Sequence, residues 1–309
     1  AVTALKAGAY DFIEKPFNAD RLVMVAQRAL ETLRLKRELK ELKQLTPHGR
    51  VLVGRSSAVQ QLKSTIERVG PTNSRILIVG PSGSGKELTA RMVHAASARA
   101  QGPFVVLNAA AMTPERLDYE LFGVAEGEEV ERKTGALEEA HGGTLFLDEI
   151  ADMPRETQNR VLRVLVEQTF SRVGSAEKVS VDVRIISSTG RNLEDEIAKG
   201  RFREDLYHRL SVVPIRVPPL AERREDIPDL VDFFVDSISQ STGLPRRPIG
   251  EDAMAVLQSH DWPGNVRQLR NNVERLLILA GGDPEATITA AMLPPDVGAL
   301  VPSLPNGNG

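Results

Sequence analysis

A glycine-rich loop that ends in a lysine is the first feature of the sequence that could do chemistry. Its residues are Gly80, Pro81, Ser82, Gly83, Ser84, Gly85 and Lys86. Glycines let the backbone wrap so that N–H groups point inward, and the start of the following helix adds partial positive charge. Such a nest fits the phosphates of a nucleotide, with Lys86 as a mobile charge for the outer ones. The alternative is an ordinary glycine-rich surface loop, and the position between an apolar strand and a helix argues against it.

Two adjacent carboxylates form the second feature. Asp148 and Glu149 follow the apolar run 144–147, which is typical of a strand buried in a parallel sheet. Ligands of open α/β sheets bind at the carboxyl ends of such strands. We expect Asp148 to hold magnesium, directly or through water, and Glu149 to orient and deprotonate an attacking water. Glu87 stands where the general motif has a Ser or Thr for magnesium, so the metal must depend on Asp148. The carboxylate pair could also be a solvated start of a loop.

These groups require a parallel sheet to position them. Apolar runs and helical patterns alternate between about residues 50 and 220, as in βαβ units. Strands are expected at 75–79, 104–107, 144–147 and 183–187, and helices at 57–69, 87–98 and 157–167. Later expected elements are helices alone, at 226–240, 251–259 and 265–280. The predicted fold class is therefore α/β with a small helical subdomain after the sheet.

Composition and charge exclude several classes of protein. The chain has 309 residues, of which 41% are hydrophobic, a net charge of -3 and no cysteine. This balance is that of a soluble globular protein and gives no overall attraction to nucleic acid. Disulfides and thiolate metal sites are excluded. No apolar stretch approaches the roughly 18 residues that a membrane span needs, so we expect a cytoplasmic protein without membrane contact.

Five segments resemble the AAA+ core of the sigma-54-dependent activators. They are Gly80 to Leu88, Glu120 to Gly123, Gly142 to Ile150, Phe202 to Leu210 and Trp262 to Arg267. The resemblance covers about residues 50 to 295, with the segments in the family's order. It implies a P-loop AAA+ sheet flanked by helices over 50–222 and a C-terminal helical lid over 223–297. It also implies that the chain binds ATP with Mg²⁺ and hydrolyses the ATP.

The resemblance implies roles for single residues. Asn108 is similar to the family's switch residue, which holds the catalytic Glu149 until the nucleotide state changes. Thr189 matches the sensor of the γ-phosphate, although Gly190 replaces the polar residue usual beside it, and Arg267 matches the sensor of the lid. Further residues implied to contact the nucleotide are Val53, Gly54, Glu87 and Leu88.

Two arginines imply a role for a second subunit. Arg203 and Arg209 match the arginines that family members offer to the neighbouring subunit's nucleotide. Charge stabilisation in trans can contribute about 10³ to 10⁵ in rate. The resemblance therefore implies that a ring formed with nucleotide is the working form. Alternatively, the two arginines are solvated salt-bridge partners on a charged segment.

The N-terminal segment resembles a different domain. Residues 8–17 are similar to the last strand of a two-component receiver, with Lys15 as the residue that senses the phosphoryl group. We expect a receiver remnant over 1–28 and a linker helix over 29–49. Leu35, Leu39 and Leu42 recur as in a coiled-coil seam, which predicts either a dimer through the linker or packing on the chain's own domain. In a receiver the phospho-accepting Asp lies upstream of this strand, so the resemblance implies that this Asp and the contact with a histidine kinase belong to the full-length protein.

Two further segments bear on output. The tail 298–309, rich in Pro, Gly and Asn, is expected to be a flexible linker to a helix-turn-helix that supplies DNA binding. Family members that remodel sigma-54 carry a Gly-Ala-Phe-Thr-Gly-Ala loop, whereas Val124 to Thr134 is acidic and has no Phe-Thr pair. Glutamates cannot replace an apolar tip that inserts into a partner. The resemblance narrows to nitrogen and respiration regulators without this loop, and whether RNA polymerase or a sigma factor is a partner stays open.

Three functions remain from the sequence. The first is an ATPase whose cycle drives changes of oligomer and conformation in a transcription regulator. The second is an assembly module that responds to nucleotide with little turnover, because the loss of the output loop removes the usual reason for hydrolysis. The third, a generic P-loop kinase, is disfavoured because no site for an acceptor substrate is visible.

Overall fold

The computed structural model describes residues 51–125, 133–280 and 286–298. The predicted receiver remnant, the linker helix with its leucine seam, Lys15 and the tail after residue 298 lie outside these residues. Most of the acidic segment, 126–132, also lies outside them.

A five-stranded parallel sheet carries the glycine-rich loop and the carboxylates. The chain forms seven strands within the described residues, β1 (Ile76–Val79), β2 (Phe104–Asn108), β3 (Thr144–Asp148), β4 (Thr169–Ser171), β5 (Lys178–Ser180), β6 (Arg184–Thr189) and β7 (Val213–Arg216). The sheet has the order β2-β3-β6-β1-β7 with parallel pairing throughout. The short strands β4 and β5 pair separately as an antiparallel hairpin. The α/β class predicted from the alternating pattern is confirmed.

Helices cover both faces of the sheet. The helical part that follows, from Arg223 onwards, is called the lid. The helices of the first part are α1 (Ser57–Val69), α2 (Lys86–Ala95), α3 (Pro114–Phe122), α4 (Ala136–Glu139), α5 (Arg155–Glu167), α6 (Leu193–Ala198) and α7 (Glu204–Leu210). Those of the lid are α8 (Ile227–Thr242), α9 (Glu251–Ser259), α10 (Asn265–Leu279) and the single turn α11 (Pro295–Gly298). None of these described helices has the length and apolar character needed to cross a membrane.

The strands place successive side chains in two separate cores. In β3, Leu145 and Leu147 pack against the helices α3 to α5, whereas Phe146 between them packs against α1 and α2. Strand β1 alternates in the same way, with Leu77 on one side and its neighbours on the other. Both faces of a parallel sheet are covered in this arrangement, which is why its strands are almost continuously apolar.

The lid has its own core around Trp262. This indole is 1% exposed, and its Nε1 donates to the carbonyl of Leu257 at 2.7 Å. Side chains of α8, α9 and α10 surround it, among them Phe234, Leu269 and Val273. The lid therefore has a hydrophobic core of its own, separate from the two cores of the sheet.

The two ends of the acidic segment are fixed to the body of the protein. Val124 and Lys133 form an antiparallel bridge, with N–H to O distances of 2.9 and 3.1 Å. Lys133 Nζ also lies 2.7 Å from the carboxylate of Glu120 in α3. Val173, next to the hairpin strand β4, accepts a hydrogen bond from Ala125 N. The segment between the bridge residues therefore starts and ends at a defined position beside the hairpin.

A buried carboxylate joins the start of α1 to the start of the lid. Asp226 is 0% exposed and accepts hydrogen bonds from the backbone N–H groups of Arg55 and Ser56, each at 2.7 Å. The hydroxyl of Ser56 also donates to it at 2.6 Å. Gly54 has φ 135°, and a Cβ there would lie 2.6 Å from the Asp226 carboxyl carbon. Only glycine allows the chain to pass this carboxylate so closely.

We expect Asp226→Ala to lower the free energy of unfolding by about 3 kcal/mol or more, because buried donors lose a charged acceptor. Chemical denaturation measures the change. The matched control is Asp229→Ala, whose carboxylate is 37% exposed and lies 3.6 Å from Arg55 Nε. Equal losses in the two variants would contradict the assigned role of Asp226.

Candidate active site

The glycine-rich loop, Gly80 to Lys86, connects β1 to α2 at the carboxyl end of the sheet. Gly83 and Gly85 have φ of 74° and 111°, values that favour glycine. At Gly80 an added Cβ would lie 2.6 Å from the carbonyl oxygen of Val217, so the loop passes the end of β7 without room for a side chain. The first N–H groups of α2 have no partner within the helix and carry its positive dipole end. The loop is therefore built to receive an anion.

Lys86 is the buried cation of this loop. It is 6% exposed, and its Nζ lies 2.9 Å from Glu149 Oε1. The same Nζ donates to the carbonyls of Gly80 at 3.0 Å and Pro81 at 3.4 Å. The lysine and the predicted catalytic carboxylate thus form a direct ion pair at the entrance to the loop.

Both carboxylate oxygens of Asp148 are held by neighbouring strands. Asn108 Nδ2 donates to Oδ2 at 2.8 Å, since Asn108 and Asp148 are partners in the register of β2 and β3. The hydroxyl of Ser188 in β6 donates to Oδ1. In this structure the register places the amide of Asn108 beside Asp148 rather than beside Glu149, and its role as a switch residue stays a prediction. The sequence reasoning also missed Ser188, which comes directly after the expected strand 183–187.

Glu149 is held in an unusual backbone conformation. Its φ is 54°, and left-handed geometry in a residue with a side chain costs about 1 kcal/mol or more, which the surrounding contacts must offset. Its N–H donates to Ser188 Oγ at 3.4 Å, and its Oε2 accepts from the N–H of Gly190 at 2.9 Å. The carboxylate is therefore fixed between Lys86 and the end of β6.

Thr189 lies at the end of β6, but its hydroxyl faces its own turn. The side chain is 1% exposed; Oγ1 donates to the carbonyl of Arg191 at 3.2 Å and accepts from Arg191 N at 3.0 Å. In this structure the backbone N–H of Gly190, rather than the Thr189 hydroxyl, contacts the carboxylate of Glu149. A cavity of about 470 Å³ adjoins Gly80, Pro81 and Gly190. The cavity therefore borders the glycine-rich loop and the end of β6, but Lys86, Asp148 and Glu149 do not line it.

The two predicted arginines differ in their surroundings. Arg203 makes a bidentate ion pair with Asp205, at 2.9 and 2.6 Å, which raises the pKa of the guanidinium, and Nη1 donates to Asn159 at 2.6 Å. Arg209, at the end of α7, is exposed and has no hydrogen bond or ion pair with any residue that the structure describes. Arg203 thus fits the salt-bridge alternative within one chain, whereas Arg209 is available to another molecule.

The lid contacts the glycine-rich loop directly. Arg267 donates from Nη1 to Ser82 Oγ and from its backbone N–H to the carbonyl of Gly83, both at 3.3 Å. Two residues outside the predicted set also reach the loop: Asn265 Nδ2 donates to the Ser82 carbonyl at 2.9 Å, and Arg223 Nη2 to the Ser84 carbonyl at 2.8 Å.

The remaining predicted nucleotide contacts lie around the loop. Glu87 is exposed in the first turn of α2 and pairs with Arg91 at 2.7 Å. Leu88 packs against the core between α1, α2 and the sheet, and Val53 packs against the lid core. Gly54 passes the buried Asp226. Of these four, Val53 and Gly54 lie where the chain before α1 meets the lid.

The donor set fits magnesium better than a metal held by protein alone. Among the described residues no group of three or more His, Cys, Asp or Glu could hold a metal ion. Magnesium in nucleotide sites is bound by one or two carboxylates together with phosphate oxygens and waters. Each oxygen of Asp148 accepts one hydrogen bond and keeps a second acceptor position for such a contact.

Comparison with known proteins identifies the family. The family described as "Sigma-54 interaction domain" matches residues 52–216, and the "AAA+ ATPase lid domain" matches 221–306. The chain belongs to the sigma-54 interaction domain family. The resemblance seen in its five sequence motifs is thereby confirmed.

Among relatives of this sigma-54 interaction domain, the nitrogen assimilation regulatory protein NtrX of Azorhizobium caulinodans is 85% identical over 310 residues, which is 100% of this chain and 68% of that protein. The DNA-binding transcriptional regulator NtrC of Rhizobium meliloti is 42% identical, over 99% of this chain and 62% of its own length. The predicted resemblance to nitrogen regulators of this family is confirmed.

Solved structures agree with this placement. NtrX from Brucella abortus in complex with ATP has a TM-score of 0.80 and 62% identity, and covers 99% of this chain and 67% of that one. The same protein in complex with ADP has a TM-score of 0.79 and 65% identity, over 96% of this chain and 67% of that one.

Proposed function

We propose that this chain is the ATP-binding and ATP-hydrolysing core of a two-component response regulator. The observation that carries the proposal is the cluster formed by Lys86, Asp148 and Glu149 beside a loop whose glycines leave its backbone open to an anion. Crystals of the Brucella NtrX with ATP and with ADP support nucleotide binding by the same fold. Magnesium, held through Asp148, would neutralise charge on the phosphates when bound.

The residues of the chain divide the work of hydrolysis. Lys86 leaves its ion pair with Glu149 when phosphate oxygens compete for it, since a triphosphate offers several negative oxygens inside the loop. Glu149 then keeps the hydrogen bond from Gly190 N and has Oε1 available to accept a proton from water. Asn108 and Ser188 keep Asp148 in place while this exchange occurs.

The proposed working form is a ring in which Arg209 reaches the nucleotide of the next subunit. Its exposure and its lack of a partner among the described residues support this role, whereas Arg203 would first have to leave Asp205. We further propose that the protein works in the cytoplasm, that the linker helix contributes to a dimer, that a histidine kinase acts through a receiver, and that DNA is bound only through a separate C-terminal domain.

A second function has one observation in its favour. The ion pair between Lys86 and Glu149, at 2.9 Å, neutralises the catalytic carboxylate, which favours an assembly module that binds nucleotide with little turnover. The rate of phosphate release separates this function from the first, and the decisive variant is argued in the Discussion.

We propose that the chain does not remodel sigma-54, because the segment between Val124 and Lys133 carries glutamates where remodelling members have an apolar tip. In an ATP-dependent open-complex assay with sigma-54 polymerase, the full-length regulator is expected to give no activation above background. A family member that carries the Gly-Ala-Phe-Thr-Gly-Ala loop serves as the positive control. Robust activation by this regulator would overturn this proposal, but it would not contradict the proposal that the chain hydrolyses ATP.

A further inference from the structure

Three consecutive carbonyls of the glycine-rich loop accept hydrogen bonds from the lid. Ser82 O accepts from Asn265 Nδ2, Gly83 O from Arg267 N and Ser84 O from Arg223 Nη2, at 2.9, 3.3 and 2.8 Å. All three donors lie within the match to the lid domain, residues 221–306. The lid thus contacts the backbone of the loop, whereas the side chain of Lys86 contacts Glu149.

The direction of these bonds decides where the loop's N–H groups point. In a planar trans peptide the C=O of one residue and the N–H of the next point in opposite directions. With the carbonyls of Ser82 and Ser84 held by the lid, the N–H groups of Gly83 and Gly85 must point away from it. The remaining carbonyl is that of Gly83, and the N–H that follows it belongs to Ser84. This N–H donates to Pro81 O at 3.3 Å inside the loop. Inward N–H groups of this kind bind phosphate.

Asn265 is oriented by its surroundings and cannot reverse its amide. The residue is 3% exposed with φ 51°, and its Oδ1 accepts from the N–H of Leu220 at 2.8 Å. Because that N–H can only donate and the Ser82 carbonyl can only accept, the NH₂ group must face Ser82. The side chain therefore holds the loop from a fixed point at the start of α10.

Arg223 is a buried cation that donates a hydrogen bond to the carbonyl of Ser84. It is 2% exposed, and burial lowers the pKa of the guanidinium while the charge of Asp226 opposes this effect. Its Nε and the hydroxyl of Ser84 are both buried without a hydrogen-bond partner. Burying a charge is costly unless the charge is paired and hydrogen-bonded, and the hydrogen bond of Arg223 goes to the backbone of the glycine-rich loop.

We propose that Arg223 and Asn265 are positioning residues that set the phosphate-binding shape of the glycine-rich loop through its backbone carbonyls. The orientation of the lid then controls the affinity of the loop for phosphates, independently of any contact between the lid and the base of the nucleotide. This inference rests on the proposed function, because it assumes that the loop binds the phosphates of ATP.

Binding of ATP and of inorganic tripolyphosphate, measured by calorimetry on the whole chain, tests the proposal. Asn265→Asp keeps an acceptor for Leu220 N but removes the donor to Ser82 O, and Asp tolerates the positive φ. We expect both ligands to bind about tenfold more weakly, as for the loss of one hydrogen bond near a charged ligand. Tripolyphosphate has no base or ribose, so its loss of affinity reports on the loop alone.

The matched control is Asn272→Asp in the same helix. Asn272 is 8% exposed and its Nδ2 donates to the Gln268 carbonyl at 3.0 Å, so the same exchange removes a buried amide donor away from the loop. We expect the midpoint of thermal unfolding of Asn272→Asp to fall, while its affinity for tripolyphosphate stays at the wild-type value. Arg223→Lys, which can still donate to Ser84 O, is expected to bind more tightly than Arg223→Met.

The outcomes separate this inference from the proposed function. Wild-type affinity in folded Asn265→Asp, with only a lower thermal midpoint, would mean a purely structural role and would overturn the inference alone. If wild type binds neither ATP nor tripolyphosphate, the proposed function falls and the inference with it. If Arg223→Met does not fold, the comparison of Asn265→Asp with Asn272→Asp decides the question.

Discussion

Replacing Glu149 with Gln is expected to lower steady-state ATP hydrolysis about a hundredfold or more, because the variant lacks the base that deprotonates water. Gln keeps the size of the side chain and an oxygen for the N–H of Gly190. It also removes the carboxylate that competes with phosphate for Lys86, at 2.9 Å. ATP affinity should therefore be equal to or higher than that of wild type.

The matched control for this variant is Glu167→Gln at the end of α5. The carboxylate of Glu167 is 48% exposed and lies 3.5 Å from Lys178, far along the chain from the glycine-rich loop. Phosphate release is measured at several protein concentrations, because a ring would form only at the higher ones. The control is expected to release phosphate at the wild-type rate at every concentration.

The same measurement decides between the two proposed functions. A wild-type rate equal to that of Glu149→Gln at all concentrations would mean that the chain does not catalyse hydrolysis, and the assembly module would replace the ATPase. A wild-type rate that rises with concentration and falls in the variant supports the ATPase. Binding of ATP to both proteins, measured in parallel, ensures that the difference arises after binding.

Four strands of the sheet and the longest helices were predictable because their signals are local and strong, whereas β7 was not among the expected strands. The expected helices 57–69 and 251–259 have the predicted bounds, and the strands differ by a few residues at most. The short elements were missed: the three-residue strands β4 and β5 bury too few side chains to produce an alternating pattern. Helix α6, with six residues, is likewise too short for its periodicity to be read from the sequence.

The candidate site was predictable where a residue follows a buried strand or lies in a glycine-rich run, as Asp148 and Lys86 do. Contacts between neighbouring strands were less predictable, because the register that pairs Asn108 with Asp148 depends on the packing of the whole sheet. Arg223 lies in the charged run 222–226, which in the sequence resembles a solvated surface. Arg223 is buried because the lid packs against the glycine-rich loop. This contact joins residues far apart in the sequence, so no local pattern predicts it.

Arg209→Ala is expected to reduce hydrolysis in the assembled state by about a thousandfold, the scale of an arginine supplied in trans. Since Arg209 has no hydrogen bond or ion pair with any described residue of its own chain, the variant should keep its fold and its ATP affinity. Arg203→Ala gives a less specific result, because it also breaks the ion pair with Asp205 at 2.6 Å. Phosphate release and ATP binding are measured together.

Mixing two inactive variants tests whether Arg209 acts on the neighbouring subunit. Subunits with Arg209→Ala retain Glu149, and subunits with Glu149→Gln retain Arg209, so each lacks what the other offers. In a ring with head-to-tail interfaces and random equal mixing, about a quarter of the sites combine an intact base with an intact arginine. Activity should therefore rise on mixing to a substantial fraction of wild type. If the mixture stays as inactive as either variant alone although mixed oligomers form, Arg209 does not complete the site of a neighbour.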